Sequence, residues 1–180
     1  ITLNSSEKLI ISFDILSNNT ESYACTFIHC DSNWKRSELN QSDYLTGFYD
    51  NFITNYSYSF NTLTSYCYYE FSFPNENINF TKSGNYIILV YDDTNQLPIL
   101  TKRFMINEQI VDTEINIKKS MMARNQDTHQ EVDFYIKNYN HLSITDPYNE
   151  LKIVVQKNDN WDETIINCTP SFVGNNILEF

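Results

Sequence analysis

The sequence predicts an all-β protein made of two consecutive β-sandwich domains of immunoglobulin-like or fibronectin-like type. Three observations carry that expectation. Bulky and β-branched residues recur with period two along most of the 180 residues, the pattern of half-buried strands rather than of helices. Turn clusters such as "SNNT", "NEN" and "KNDN" separate these runs. Glycine occurs only 3 times, so turn positions that need positive φ must fall to asparagine and aspartate, which tolerate it best after glycine. The pattern also breaks and restarts near residues 107–109, which divides the chain into residues 1–107 and 108–180.

In the first domain, strands are expected at 9–16, 23–31, 56–61, 66–73, 85–92 and 99–106. Six strands approach the seven of an immunoglobulin-like sandwich. In "YSYSFNT" Tyr56, Tyr58 and Phe60 point one way while Ser57 and Ser59 point the other. In "YCYYEFSF" the inward set is Tyr69, Phe71 and Phe73 or their neighbours, and Pro74-Asn75 ends the strand. "SGNYIILVYDD" reads as a turn, a fully buried strand and a second turn. Between the second and third strands lies a long polar-aromatic loop, residues 32–55, in which only "KRSELNQ" suits a helical turn. Loops of that length in compact domains usually have a task.

The second domain restarts with "NEQIVDTEINIKKSM", where Val111, Thr113, Ile115 and Ile117 alternate with Asp112, Glu114 and Asn116. "HQEVDFYIKN", "NELKIVVQKN", "WDETIIN" and "ILEF" follow. Four or five strands are thin for a closed sandwich, which takes about 100 residues. The pattern also stops in mid-course at Phe180. The expectation is an incomplete second domain and a chain that belongs to a longer one.

Composition narrows the function. A chain 41% hydrophobic and 15% aromatic has ample material for packed cores and is too apolar to be disordered. A net charge of −11 with only 12 lysines and arginines argues against a nucleic-acid partner, which needs a cationic surface. It suits a soluble periplasmic or extracellular protein, or one that docks on a basic partner. The longest apolar run, "YIILVY", is strand-sized and far short of a membrane span. Ile1 falls inside the first pattern rather than at an initiator methionine, which reads as a mature or trimmed chain. Asn18-Asn19-Thr20 and Asn55-Tyr56-Ser57 match the glycosylation triplet, but chance is the stronger reading in a chain this rich in Asn, Ser and Thr.

Two stretches look chemical. "FIHCDSNW" sets His29, Cys30 and Asp31 side by side ahead of Trp34. On a strand, neighbouring side chains alternate faces, so His29 and Cys30 cannot share a metal ion or form a nucleophile–base pair. The structural reading is therefore preferred: Cys30 a small buried hydrophobe, His29 a polar packing residue, Asp31 the start of an Asx-type turn and Trp34 a cover for the core. Cys25, Cys30, Cys67 and Cys168 show no zinc-ligand spacing. One disulfide involving Cys67 and free buried thiols remain equal alternatives. In "DTHQEVDF", alternation puts Asp127, His129, Glu131 and Asp133 on one face, where a metal or an acid–base pair would sit. A wetted strand face with Val132, Phe134 and Ile136 turned inward is preferred. No Ser nucleophile elbow or Gly-rich phosphate loop accompanies the cluster. The aromatics Trp34, Tyr44, Phe48, Tyr49 and Phe52 would line a sugar platform or a protein-docking patch, or cap the open end of the sandwich.

Taken in order, "IHCDSNWKRSELNQSDYLTGF", "YSYSFNT", "SGNYIILVYDD", "RFMINE", "DTHQEVDF" and "DPYNELKIVVQKNDNWD" resemble the type IX secretion system plug protein family of Bacteroidota. The resemblance spans nearly the whole chain, as the N-terminal part of longer members. One departure is "SYCYYEF", where the family usually carries a histidine-tyrosine pair and Cys67 with Tyr68 or Tyr69 stands here. The resemblance implies a non-enzymatic β-rich protein with no cofactor, metal or small-molecule substrate. It implies a periplasmic location, peripheral to the outer membrane, where the protein binds the translocon barrel and seals its opening while the pore is idle. The residues expected at that interface are Trp34, Tyr44, Phe48 and Tyr49 of the long loop. The rival expectation is a carbohydrate-binding or adhesin-type module of a secreted or surface protein.

Overall fold

The computed structural model describes residues 1–17, 20–158 and 160–180, without the side chain of residue 162. Asn18 and Asn19 of the Asn18-Asn19-Thr20 triplet therefore lie outside the described residues. The fold is all-β, and the chain divides into two compact units, Ile1–Glu108 and Gln109–Phe180.

The first unit contains β1 (Leu9–Ile15), β2 (Tyr23–Cys30), a single helical turn α1 (Gln41–Tyr44), β3 (Leu45–Gly47), β4 (Asn51–Phe52), β5 (Asn55–Tyr58), β6 (Cys67–Phe73), β7 (Ile78–Phe80), β8 (Gly84–Asp92) and β9 (Pro98–Ile106). One sheet has the order β1-β6-β5 and the other β4-β2-β8-β9, with β3 and β7 as a separate pair. All of these pairings are antiparallel. The six expected strands are present, each within a few residues of its expected bounds, because alternation fixed which residues had to leave water.

Between the sheets β2 contributes Tyr23, Cys25 and Phe27, β6 contributes Cys67, Tyr69 and Phe73, and β8 contributes Tyr86, Ile88 and Val90. Phe27 is fully buried. Its ring lies 4.8 Å from Phe73, 5.1 Å from Phe80 and 6.0 Å from Phe104. Steeply inclined ring pairs of this kind each add about 0.5–1.5 kcal/mol beyond the burial of their area.

Three expectations need correction. Residues 32–55 are not one long loop. Cys30 pairs with Arg36 in an antiparallel bridge, and α1, β3 and β4 follow. The Asp43 carboxylate accepts from the Asn40 amide at 2.8 Å, a local cap that starts the helix at the last residue of "KRSELNQ". Second, "YIILVY" is buried on one face only: Tyr86, Ile88 and Val90 are buried while Ile87, Leu89 and Tyr91 are half-buried. The strand is antiparallel to both neighbours, and antiparallel sheets leave their outer face free to meet water. Third, Phe60 lies beyond β5, whose four residues are all exposed.

The second unit contains β10 (Asp112–Lys119), a 3₁₀ turn (Ala123–Asn125), β11 (Gln130–Lys137), the helical turn α2 (Pro147–Glu150), β12 (Val154–Lys157), β13 (Asn160–Ile166), β14 (Phe172–Gly174) and β15 (Ile177–Glu179). They form a sheet in the order β10-β11-β15-β14 and a hairpin of β12 with β13. Among the described residues six strands stand where four or five were expected, because the expected "ILEF" strand is joined by a further one, Phe172–Gly174, in a hairpin. α2 arises because Asp146 accepts from the Tyr148 amide at 3.1 Å and Pro147 sits at the first helical position. The shortage of glycine is met as expected: Asn4, Asn61, Asn138, Asn158, Asn167 and Asn176 hold positive φ, joined by Trp34 and Gln96.

Candidate functional site

His29 and Cys30 end β2, and the strand throws them to opposite sides. The His29 ring turns toward Tyr44 and Tyr86, at 5.5 and 5.0 Å between centroids. Its Nδ1 lies 2.9 Å from the Ser37 hydroxyl and its Nε2 3.4 Å from the Ser83 carbonyl. A Cβ at Gly84 would come within 2.6 Å of His29 Nε2, at a φ of +138° that side chains rarely adopt, so glycine is what lets the imidazole seat. Cys30 is 2% exposed, and its thiol is directed at the Ile28 carbonyl, 3.8 Å away. Burial, then the Asp31 carboxylate, raise its pKa, which disfavours the thiolate that nucleophilic or metal chemistry needs. The stretch is the end of a strand running into a turn. Asp31 opens that turn, accepting from the amides of Asn33 and Lys35 at 2.8 and 2.9 Å.

All four cysteines are free thiols, three of them buried. Cys25 is pushed up to about 12 by burial and then by the Asp50 charge. The buried tyrosines are neutral for the same first reason: Tyr69 is pushed up to about 12, and Tyr23 and Tyr86 lie higher still.

The second cluster is dispersed. β11 begins only at Gln130, so Asp127 and His129 both precede it and do not share a strand face with Glu131 and Asp133. His129 Nδ1 meets the Thr128 hydroxyl at 2.8 Å, a partner not foreseen. Glu131 and Asp133 both hold Lys118, at 3.2 and 2.6 Å. The opposite face is less buried than expected, with Val132 exposed and Phe134 stacked on Phe180 at 4.5 Å. Among the described residues no three His, Cys, Asp or Glu side chains are grouped to hold a metal ion.

The aromatic candidates separate clearly. Tyr44 is 3% exposed, and its hydroxyl donates to the Phe27 carbonyl at 3.1 Å. It is a core residue of α1 rather than a surface anchor, because helix formation at residue 41 turns it inward. Trp34 is half-buried under the Arg103 guanidinium, 4.9 Å above its ring. Phe48 and Tyr49 are 65% and 39% exposed. Phe52, Tyr56, Tyr58 and Phe60 continue the exposed series along β4, β5 and beyond. The sequence signal for these was the tyrosine–serine alternation, which marks a strand but not which of its faces is covered. The rings of Tyr56 and Tyr58 lie 6.0 Å apart at 82°, so this pair does not present the coplanar platform that a sugar ring stacks on. The arrangement offers contact area and no converged reactive groups.

No helix of the described residues is long and apolar enough to cross a membrane. Residues 1–108 match the family model described as type 9 secretion system plug protein 1st domain. Comparison with curated proteins finds no match. A crystal structure of a hypothetical protein from Parabacteroides merdae ATCC 43184, at 2.30 Å resolution, is similar over 99% of this chain, with a TM-score of 0.92 and 32% identity. The chain spans 45% of that protein.

Proposed function

Because the chain belongs to the type 9 secretion system plug protein family, we propose that it forms part of a periplasmic subunit that binds the outer-membrane translocon barrel and seals its periplasmic opening while the pore is idle. The match of the whole first unit, residues 1–108, to the plug's first domain carries this reading. The family suggests a structural role in the cell envelope without enzymatic chemistry, which agrees with a buried Cys30 turned away from His29.

A plug must resist deformation, and interlocked rings in a close-packed core supply that rigidity. It must also leave again, which calls for a broad interface that is polar and aromatic rather than an extension of the core. Exposed Phe48, Tyr49 and Phe52 suit the anchoring role in such an interface, where a few aromatics carry most of the energy. A net charge of −11 would steer the subunit toward a basic rim and make association sensitive to salt.

The test is co-purification of the full-length protein with the translocon barrel from outer-membrane extract. Replacing Phe48, Tyr49 and Phe52 together by alanine should lower recovery about tenfold or more, the loss of a small hot spot. Recovery that is unchanged would remove this surface from the interface, and recovery of no barrel by the unaltered protein would remove the role itself.

A further inference from the structure

The hairpin of β5 and β6 ends in the two most exposed large apolar side chains among the described residues, Phe60 at 90% and Leu63 wholly open. Hydrogen bonds close its tip. The Ser59 amide donates to the Tyr66 carbonyl at 2.9 Å, and the Tyr66 amide donates to the Ser59 hydroxyl at 2.9 Å. Within the tip the Thr62 hydroxyl donates to the Thr64 carbonyl at 2.9 Å, and Asn61 turns the chain at positive φ. The loop therefore holds Phe60 and Leu63 outward instead of folding them onto the core.

The same hairpin is free of charge. Residues 51–69 contain no Asp, Glu, Lys, Arg or His, although 19% of the chain is charged and its net charge is −11. β5 is the edge of its sheet, and edge strands ordinarily carry charge or proline that discourages association. β5 and the loop after it carry neither.

Behind the tip stand Tyr58 and Tyr56, both exposed. A strand advances about 3.3 Å per residue, which sets Tyr58 roughly 7 Å behind Phe60. The headgroup layer on one side of a bilayer is about 5–8 Å deep. With Phe60 and Leu63 among acyl chains, Tyr58 would lie at the headgroups, the level that tyrosine favours. A stable protein interface covers about 800 Å² on each partner and needs a matching shape. Fluid lipid accepts a small convex tip without one. An acidic chain is repelled least where the contacting part bears no carboxylate.

We infer that the tip of the β5–β6 hairpin is a lipid-contacting element. Phe60 and Leu63 enter the acyl boundary of a zwitterionic phospholipid surface, and Tyr58 and Tyr56 rest among its headgroups. Two apolar side chains give a weak and reversible hold, far below that of a membrane-spanning segment. This contact is separate from the one proposed for Phe48, Tyr49 and Phe52, and it needs no barrel.

The test is flotation of the full-length protein with phosphatidylcholine vesicles. The unaltered protein should float with them. Phe60→Ser together with Leu63→Ser should lower the bound fraction about tenfold or more, since both side chains are withdrawn from the acyl region. Both positions are exposed, so this variant should keep the melting midpoint of the unaltered protein. In a Phe60→Trp variant, added vesicles should move the indole emission to shorter wavelength, and lipids brominated on the acyl chain should quench it. Molar salt should leave binding in place, in contrast to the salt-sensitive association with the barrel. No flotation, equal flotation by the double variant, no spectral shift, or release by molar salt would each overturn the inference, the last by showing that charge holds the protein. The vesicles contain no barrel, so such a failure leaves the co-purification result untouched.

Discussion

In the first unit Phe27 alone meets three other rings, and Tyr86 meets His29, Tyr44, Phe80 and Phe104. In the second, the ring stack of Phe134 on Phe180 stands beside exposed ion pairs that Lys118, Lys137 and Lys157 make with Glu131, Asp133, Glu114 and Glu163. Its buried apolar residues among those described are Tyr139, Pro147, Pro170 and Leu178, against seventeen in the first unit. The two units share a strand vocabulary and differ in what holds the strands. Buried aromatic area stabilises far more than exposed charge pairs do. The first unit is therefore the firm body, and the second the more easily opened one.

The largest expected effect comes from Phe27→Ala, which empties the centre of the ring cluster and costs about 3–5 kcal/mol. Near-ultraviolet circular dichroism in a urea titration should show the first unit lost at much lower denaturant; an unmoved midpoint would mean the cluster is not what holds it. Leu178→Ala, at the one fully buried aliphatic position of the second unit, should cost about 2–5 kcal/mol. Amide exchange should then rise in β11, β14 and β15 while β2 and β8 stay protected. Exchange rising in both units alike would erase the distinction drawn between them.

A smaller effect is set by pH. Asp92 is buried, and its carboxylate accepts from the Asn95 side-chain amide at 2.7 Å and from the amides of Thr94 and Asn95 at 2.7 and 3.2 Å. These bonds, that of the Asn95 side chain first, hold its pKa below the ordinary value of 3.8. Their contribution is thus present in full above that value and is lost as pH falls through the lower, folded one. The first unit's melting midpoint should drop below about pH 4, and Asp92→Asn should flatten that drop. The smallest effect is that of Lys118→Ala in the second unit, a small loss at low salt that disappears in molar salt as the exposed pairs are screened. Loss of comparable size in molar salt would show that the lysine packs rather than pairs.

Much of the fold was legible in the sequence because alternation and burial report on the same thing. Expected 23–31 and observed Tyr23–Cys30, or expected 85–92 and observed Gly84–Asp92, agree because each residue's face was fixed by its core contact. What escaped was short. β3, β4 and β7, of three, two and three residues, are too brief to show a period and exist because tertiary pairing recruits them. The fate of the candidate residues divided the same way. The separation of His29 from Cys30 followed from strand geometry alone. The burial of Tyr44 did not, because a four-residue helix sets its direction and the surrounding residues look like loop.

In the proposed role this molecule acts by the shape and hold of its surface upon a pore. The direct measurement is the conductance of the purified translocon barrel in a planar bilayer, with the full-length protein added to the periplasmic side. Current should fall to a small fraction on addition and return when the protein is washed away in high salt. Current that stays at its starting level while the protein is shown to be bound would contradict the proposal that it seals the opening.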